Sequence, residues 1–137
     1  MLDFLRLHME EVTIIIPVKD EEDGLRFLLD EFQSSNLSTD FNIQFIFVID
    51  HRTSDNSREI ARRFSKQIIN QKGTHGKGAA MRQAIQYWKT KKTSKIIFLD
   101  ADGSYSFKGV REAIVTLGGG VDIVDRKSTR LNSSHLV

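Results

Sequence analysis

Three short stretches of this chain are almost wholly apolar: Val12-Thr-Ile-Ile-Ile-Pro-Val18, Ile43-Gln-Phe-Ile-Phe-Val-Ile49 and Ile96-Ile-Phe-Leu99. They are rich in β-branched and aromatic residues, which favour strands. A strand that is apolar at successive positions has both faces covered, and this occurs in parallel sheets sandwiched between helices. That requirement narrows the choice of fold more than any other feature.

The segments between the runs supply the helices. Asp20, Glu21, Glu22 and Asp23 suit the positive end of a helix dipole, and Leu25, Leu28, Leu29 and Phe32 follow at helical spacing. Ser54 or Asp55 is placed to cap a helix carrying Ile60, Ala61 and Phe64. Residues 67–70 read as a short strand, and Gly76-Lys77-Gly78 opens a helix with Ala80, Met81, Ala84, Ile85 and Trp88 on one face. Residues 95–99 are the fourth strand. A helix over 107–117 ends at Gly118-Gly119-Gly120, and Val121 to Val124 begin a fifth strand. Alternating strands and helices predict an α/β fold: a Rossmann-like, mostly parallel sheet with right-handed crossovers and helices on both faces. Pro17, late in the first strand, is expected to end its ladder. The 137 residues allow one domain. We assign it to 12–124, with 1–11 an N-terminal extension and 125–137 a tail.

That tail, Asp125-Arg-Lys-Ser-Thr-Arg-Leu-Asn-Ser-Ser-His-Leu-Val137, has no apolar periodicity. It resembles translated adaptor sequence joined to a truncated reading frame and reads as non-native and disordered, a native polar tail being the alternative. It also distorts the charge. The formal net charge is +2 and the pI about 9.0, but Arg126, Lys127 and Arg130 belong to the tail. Of the 20 basic residues, 17 remain to face 18 acids in residues 1–125, a net of −1. A neutral body gives no ground for a nucleic-acid partner. Lys89, Lys91, Lys92 and Lys95 read as a solvated loop between helix and strand. The absence of cysteine excludes disulfides and thiolate metal sites and fits a reducing compartment. Neither a signal peptide nor an apolar run long enough to span a bilayer is present.

Ligands of open α/β sheets bind beyond the carboxyl ends of the strands. Acids stand at three of these ends: Asp20 after the first strand, Asp50 closing the second, and Asp100 with Asp102 after the fourth. Two carboxylates one residue apart suit a hard divalent cation that takes its remaining ligands from phosphate and water. A plain strand-ending turn is the competing reading, since Asp and Gly favour turns. A calcium loop is excluded, because position 12 counted from Asp100 is Arg111. Gly73-Thr-His-Gly-Lys-Gly78 is not a phosphate-binding P-loop: Gln71 and Gly78 stand where Gly and Ser or Thr are needed. Lys77 at a helix start can still meet a phosphate or remain a solvated lysine.

Four segments taken together resemble family 2 glycosyltransferases: Val12-Thr-Ile-Ile-Ile-Pro-Val-Lys-Asp-Glu-Glu22, Val48-Ile-Asp-His-Arg-Thr-Ser-Asp-Asn-Ser57, Gly76-Lys-Gly-Ala-Ala-Met-Arg82 and Phe98-Leu-Asp-Ala-Asp-Gly-Ser-Tyr105. The last is most similar to the branch that transfers sugars to polyprenyl or dolichyl phosphate. The resemblance implies the nucleotide-binding half of the A-type fold. It implies a nucleotide diphosphate sugar as donor, a polyprenyl phosphate as one acceptor class, Mg²⁺ or Mn²⁺ as cofactor and transfer with inversion. Pro17, Asp20, Glu21, Asp50, Lys77 and Asp100 would bind the nucleotide, Asp50 at base or ribose. Asp100 and Asp102 would hold the metal. Glu21 also suits a plain helix-start acid. His51 and Arg52 stand where the family has Asp-Gly, and the loop histidine is not read as a metal ligand. By the same resemblance the chain is an N-terminal fragment without its acceptor half or general base, itself inactive, from a protein in the cytoplasm or at the cytoplasmic face of a membrane. Two alternatives stand beside this reading: a nucleotide-binding module without activity, and a haloacid-dehalogenase-type phosphatase with Asp100 as nucleophile.

Overall fold

The computed structural model describes residues 9–71, 73, 76–89, 95–104, 106–117 and 122–126, with backbone alone for 77, 117 and 122–126. Five strands, β1 (Glu11–Val18), β2 (Asn42–Asp50), β3 (Ile68–Gln71), β4 (Lys95–Leu99) and β5 (Asp122–Arg126), form one sheet. Every pairing is parallel and the order is β3-β2-β1-β4-β5. The helices are α1 (Glu22–Ser34), α2 (Leu37–Asp40), α3 (Ser57–Phe64), α4 (Lys77–Lys89) and α5 (Phe107–Leu117).

The apolar runs are covered on both sides, as their composition requires. Ile14 and Ile16 of β1, Phe45, Phe47 and Ile49 of β2, and Ile97 and Leu99 of β4 face one core with Leu25, Leu28, Leu37, Ile60 and Ile114. The alternate residues Ile15, Ile46, Val48, Ile96 and Phe98 face the other, against Ala80, Ala84 and Trp88 of α4. The period of two along each strand thus sorts the side chains into two cores. Phe32 centres the first, with Phe45, Phe107 and Phe64 at ring-centroid distances of 4.8, 5.3 and 5.7 Å in edge-to-face geometry.

Several expectations need correction. Pro17 does not end β1: pairing with β2 continues past it to Val18, while pairing with β4 stops at Ile15. A parallel strand bonds its two neighbours through alternate residues, so a missing N–H interrupts one side only. Right-handed crossovers do not hold throughout. α1 and α5 pack on the same face, yet β1 to β2 and β4 to β5 step in opposite directions across the sheet. The two connections therefore have opposite hands. α5 is held on that face by Phe107 against Phe32, by the Phe107 N–H donated to Glu31 at 3.1 Å, and by the Arg111–Asp40 ion pair.

Lys95 does not belong to a solvated loop. It begins β4 with its side chain 3% exposed; its Nζ pairs with Glu10 at 2.5 Å and donates to the Ile114 carbonyl at 2.8 Å. Lys91 and Lys92 lie outside the described residues, as do 1–8, 118–121 and 127–137. β5 extends to Arg126, two residues into the segment assigned to the tail. α2 was not expected; it is a single turn entered through Asn36 at φ 57° and anchored by buried Leu37.

Candidate functional site

Strand order reverses at β1, which has β2 on one side and β4 on the other. A crevice is expected outside the carboxyl ends there, and a cleft of about 270 Å³ occupies that place. Pro17, Val18 and Lys19 line it from the end of β1, Glu21 from the start of α1, and Asp50 and Arg52 from the end of β2. Gln71 closes β3, Gly76 and Ala80 belong to the start of α4, and Asp100, Ala101 and Asp102 follow β4. A second cavity, about 330 Å³, opens at the other edge of the sheet among Phe32, Phe41, Phe45 and Phe64, with no carboxylate in its wall among the described residues.

Of the residues singled out in the sequence, Pro17, Glu21, Asp50, Asp100 and Asp102 share the cleft. Asp20 does not line it. Its backbone takes the left-handed conformation, φ 48°, and its Oδ1 accepts the N–H groups of Ser54 at 2.7 Å and Asp55 at 3.2 Å. The amide of Ser54, then that of Asp55, hold the Asp20 carboxyl below the usual carboxylate range. Asp20 ties the loop after β1 to the loop after β2. The Lys77 side chain lies outside the described residues; its backbone opens α4 directly after Gly76.

The two helix starts beside the cleft cap each other. The N–H of Glu21 donates to Ser57 Oγ at 2.9 Å and that of Glu22 to Asp55 Oδ2 at 3.1 Å. In return, the N–H of Asn56 donates to Glu22 Oε1 at 3.1 Å. First-turn amides have no partners within their own helix; these three are satisfied crosswise between α1 and α3, while the Ser57 N–H is capped locally by Asp55 Oδ1 at 2.9 Å. The N-cap of α3 is Asn56 rather than Ser54 or Asp55, and Asp55 serves from one position further out.

Asp50 ends β2 only 4% exposed. Arg52 folds back onto it with Nε on Oδ1 at 3.0 Å and Nη2 on Oδ2 at 2.9 Å, a bidentate fork, and the Arg52 N–H also donates to Oδ1 at 2.9 Å. His51 is half exposed, with Nδ1 3.8 Å from Asp50 Oδ1. Asp102 is exposed, and its Oδ1 accepts the Ser104 N–H at 3.0 Å and the Ser104 hydroxyl at 2.6 Å, closing the turn after β4. Glu21 shares the cleft with Asp50, Asp100 and Asp102. Burial, and then the negative charges of Asp102, Asp55, Asp100 and Asp20, push its carboxyl above the usual range.

Such a wall favours cationic or metal-bridged ligands over bare anions. Carboxylate oxygens are hard donors, the type Mg²⁺ and Mn²⁺ take. Among the described residues no three His, Asp or Glu side chains form a ready-made metal cage. Lys19, Arg52 and Gln71 were not anticipated. Arg52 had a signal, as the residue replacing glycine in the Val48–Ser57 segment; Lys19 and Gln71 had only their places at strand ends. A family model described as Glycosyl transferase family 2 matches residues 13–126. No curated protein matches the chain.

Proposed function

Because the chain belongs to glycosyl transferase family 2, we propose that its cleft receives the nucleotide diphosphate of a sugar donor. The observation that carries this reading is the gathering of Glu21, Asp50, Asp100 and Asp102 in one crevice at the strand-order reversal. Asp50, buried and held by Arg52, faces base or ribose. Lys19 supplies positive charge for phosphate oxygens, while the charge of Arg52 is paired with Asp50. Asp100 and Asp102 would hold Mg²⁺ or Mn²⁺, which when bound neutralises charge on the diphosphate leaving group. The donor set fits: the oxygens are hard, the acids sit one residue apart, and the like-charge crowding felt by Glu21 is what a cation relieves.

Inversion at the anomeric carbon and a lipid-phosphate acceptor complete the proposal, supported by the likeness of Phe98–Tyr105 to the polyprenyl-phosphate branch. The place of work would be the cytoplasm or the cytoplasmic face of a membrane. Among the described residues no helix is long and apolar enough to cross one. Amide NMR during titration with uridine or guanosine diphosphate and Mg²⁺ tests the assignment. Shifts should concentrate at residues 18–21, 50–52 and 100–103. Shifts confined to the aromatic cavity at the other edge, or none at millimolar nucleotide, would overturn it.

A further inference from the structure

The first turn of α1 lies against the turn after β4 with no space between them. A methyl group placed on Gly24 would stand 2.3 Å from the Ala101 carbonyl oxygen, 2.7 Å from the Asp102 carbonyl carbon and 2.8 Å from the Asp102 Cα. All three are backbone atoms, so none can swing aside as the end of a side chain can. The turn presents a glycine of its own. Gly103, at φ 80°, lies with its missing methyl position 3.6 Å from the Gly24 Cα and 3.7 Å from the Gly24 carbonyl oxygen. A glycine inside a helix weakens it relative to alanine, and α1 already packs through Leu25, Leu28 and Leu29. The close approach to the Asp102 backbone is what requires glycine at position 24.

We infer that Gly24 is a positioning residue for Asp102: its missing side chain lets α1 seat on the backbone of the 100–103 turn and fixes where the Asp102 carboxylate stands relative to Glu21. The inference rests on the donor-binding reading and deepens it by naming what holds the proposed metal-binding turn. Glu21 is the N-cap of the same helix start, so the seat places both acids in one rigid frame. The repulsion from Asp102 felt by Glu21 agrees with that nearness. Phe27, one turn further along α1 and 56% exposed, brings its ring edge to 3.3 Å from the Gly103 methyl position and covers the seam.

The test compares Gly24→Ala, Gly103→Ala and Asp23→Ala, an exposed neighbour that touches neither glycine contact. Amide spectra are recorded without ligand. Affinity for uridine or guanosine diphosphate is measured by calorimetry with Mn²⁺ and with chelator. In Gly24→Ala the amides of Ala101, Asp102 and Gly103 should move while those of β2 hold. Affinity with Mn²⁺ should fall at least tenfold and affinity with chelator change less than twofold. Gly103→Ala, whose φ of 80° strains an L side chain and whose added methyl stands 3.3 Å from the Phe27 ring edge and 3.6 Å from the Gly24 Cα, should show a loss in the same direction; it carries the test if Gly24→Ala does not fold. Asp23→Ala should match the unmutated chain. Unmoved amides at 101–103, or Mn²⁺-supported affinity within twofold of the unmutated chain, would overturn the inference. If the unmutated chain binds no better with Mn²⁺ than with chelator, the metal reading of Asp102 fails instead, and the amide shifts alone decide whether Gly24 seats the turn.

Discussion

The Asp20 carboxylate accepts two backbone N–H groups, and a charged acceptor makes the stronger kind of hydrogen bond. Asp20→Ala should therefore speed hydrogen exchange at the Ser54 and Asp55 amides while the β-strand amides keep their protection. Unchanged exchange there would mean that the two loops hold together without Asp20. Three adjacent acids then divide by pH. The Ser54 amide lowers Asp20, and the Asn56 amide lowers Glu22. Their contribution to stability is present above the unfolded carboxylate value, about pH 4, and is lost as pH falls through the folded value. Glu21 runs the other way. Burial and its acidic neighbours raise it, so the folded state binds its proton more tightly and stability declines as pH climbs through the raised value. Glu21→Gln should differ least from the unmutated chain below about pH 4 and gain in Tm over it toward pH 7. A variant less stable at pH 7 would mean that a favourable partner of the ionised Glu21 outweighs the repulsion.

Among the elements, α1 and α3 depend on each other at their N-termini. Ser57→Ala removes the acceptor for the part-buried Glu21 N–H and should cost about 1 kcal/mol, the low end of the range for a donor left unsatisfied; denaturant unfolding would measure it. The start of β4 depends on Lys95. Truncation to Ala leaves Glu10 and the Ile114 carbonyl without the ammonium and should cost about 3 kcal/mol, whereas a lysine in a solvated loop would cost nearly nothing. These two sites show what the sequence can and cannot display. β1, β2 and β4 are legible because burial on both faces demands unbroken apolar residues. Lys95 is hidden among neighbouring lysines, and its burial depends on Glu10, which lies 85 positions earlier. α2 has one turn and no periodicity to read. The side of the sheet taken by α5 is settled by Phe32 and Arg111 contacts that no local pattern contains.

For the whole molecule, the strand order β3-β2-β1-β4-β5 brings the ends of four separated strands to one crevice. Asp50, Asp100 and Asp102 could be placed there from the chain alone, since a strand-ending acid in a parallel sheet points to the carboxyl edge. Asp20 could not, because a left-handed backbone at that residue turns its carboxylate toward Ser54. Lys19 and Arg52 reach the cleft through long side chains whose direction the spacing does not encode. The Gly24–Gly103 contact joins residues 79 positions apart and becomes visible only when α1 is set against the turn after β4. The central claim is that the acids in this crevice bind a nucleotide diphosphate through a divalent cation, with Asp102 at the metal. Its most direct test is the calorimetric affinity of uridine and guanosine diphosphates, each with Mn²⁺ and with chelator, for the unmutated chain and for Asp102→Ala. Mn²⁺ should tighten binding to the unmutated chain at least tenfold, about 1.4 kcal/mol. Asp102→Ala should remove that gain, leaving the chelator affinity and the fold unchanged. An equal Mn²⁺ gain in both proteins would contradict the account.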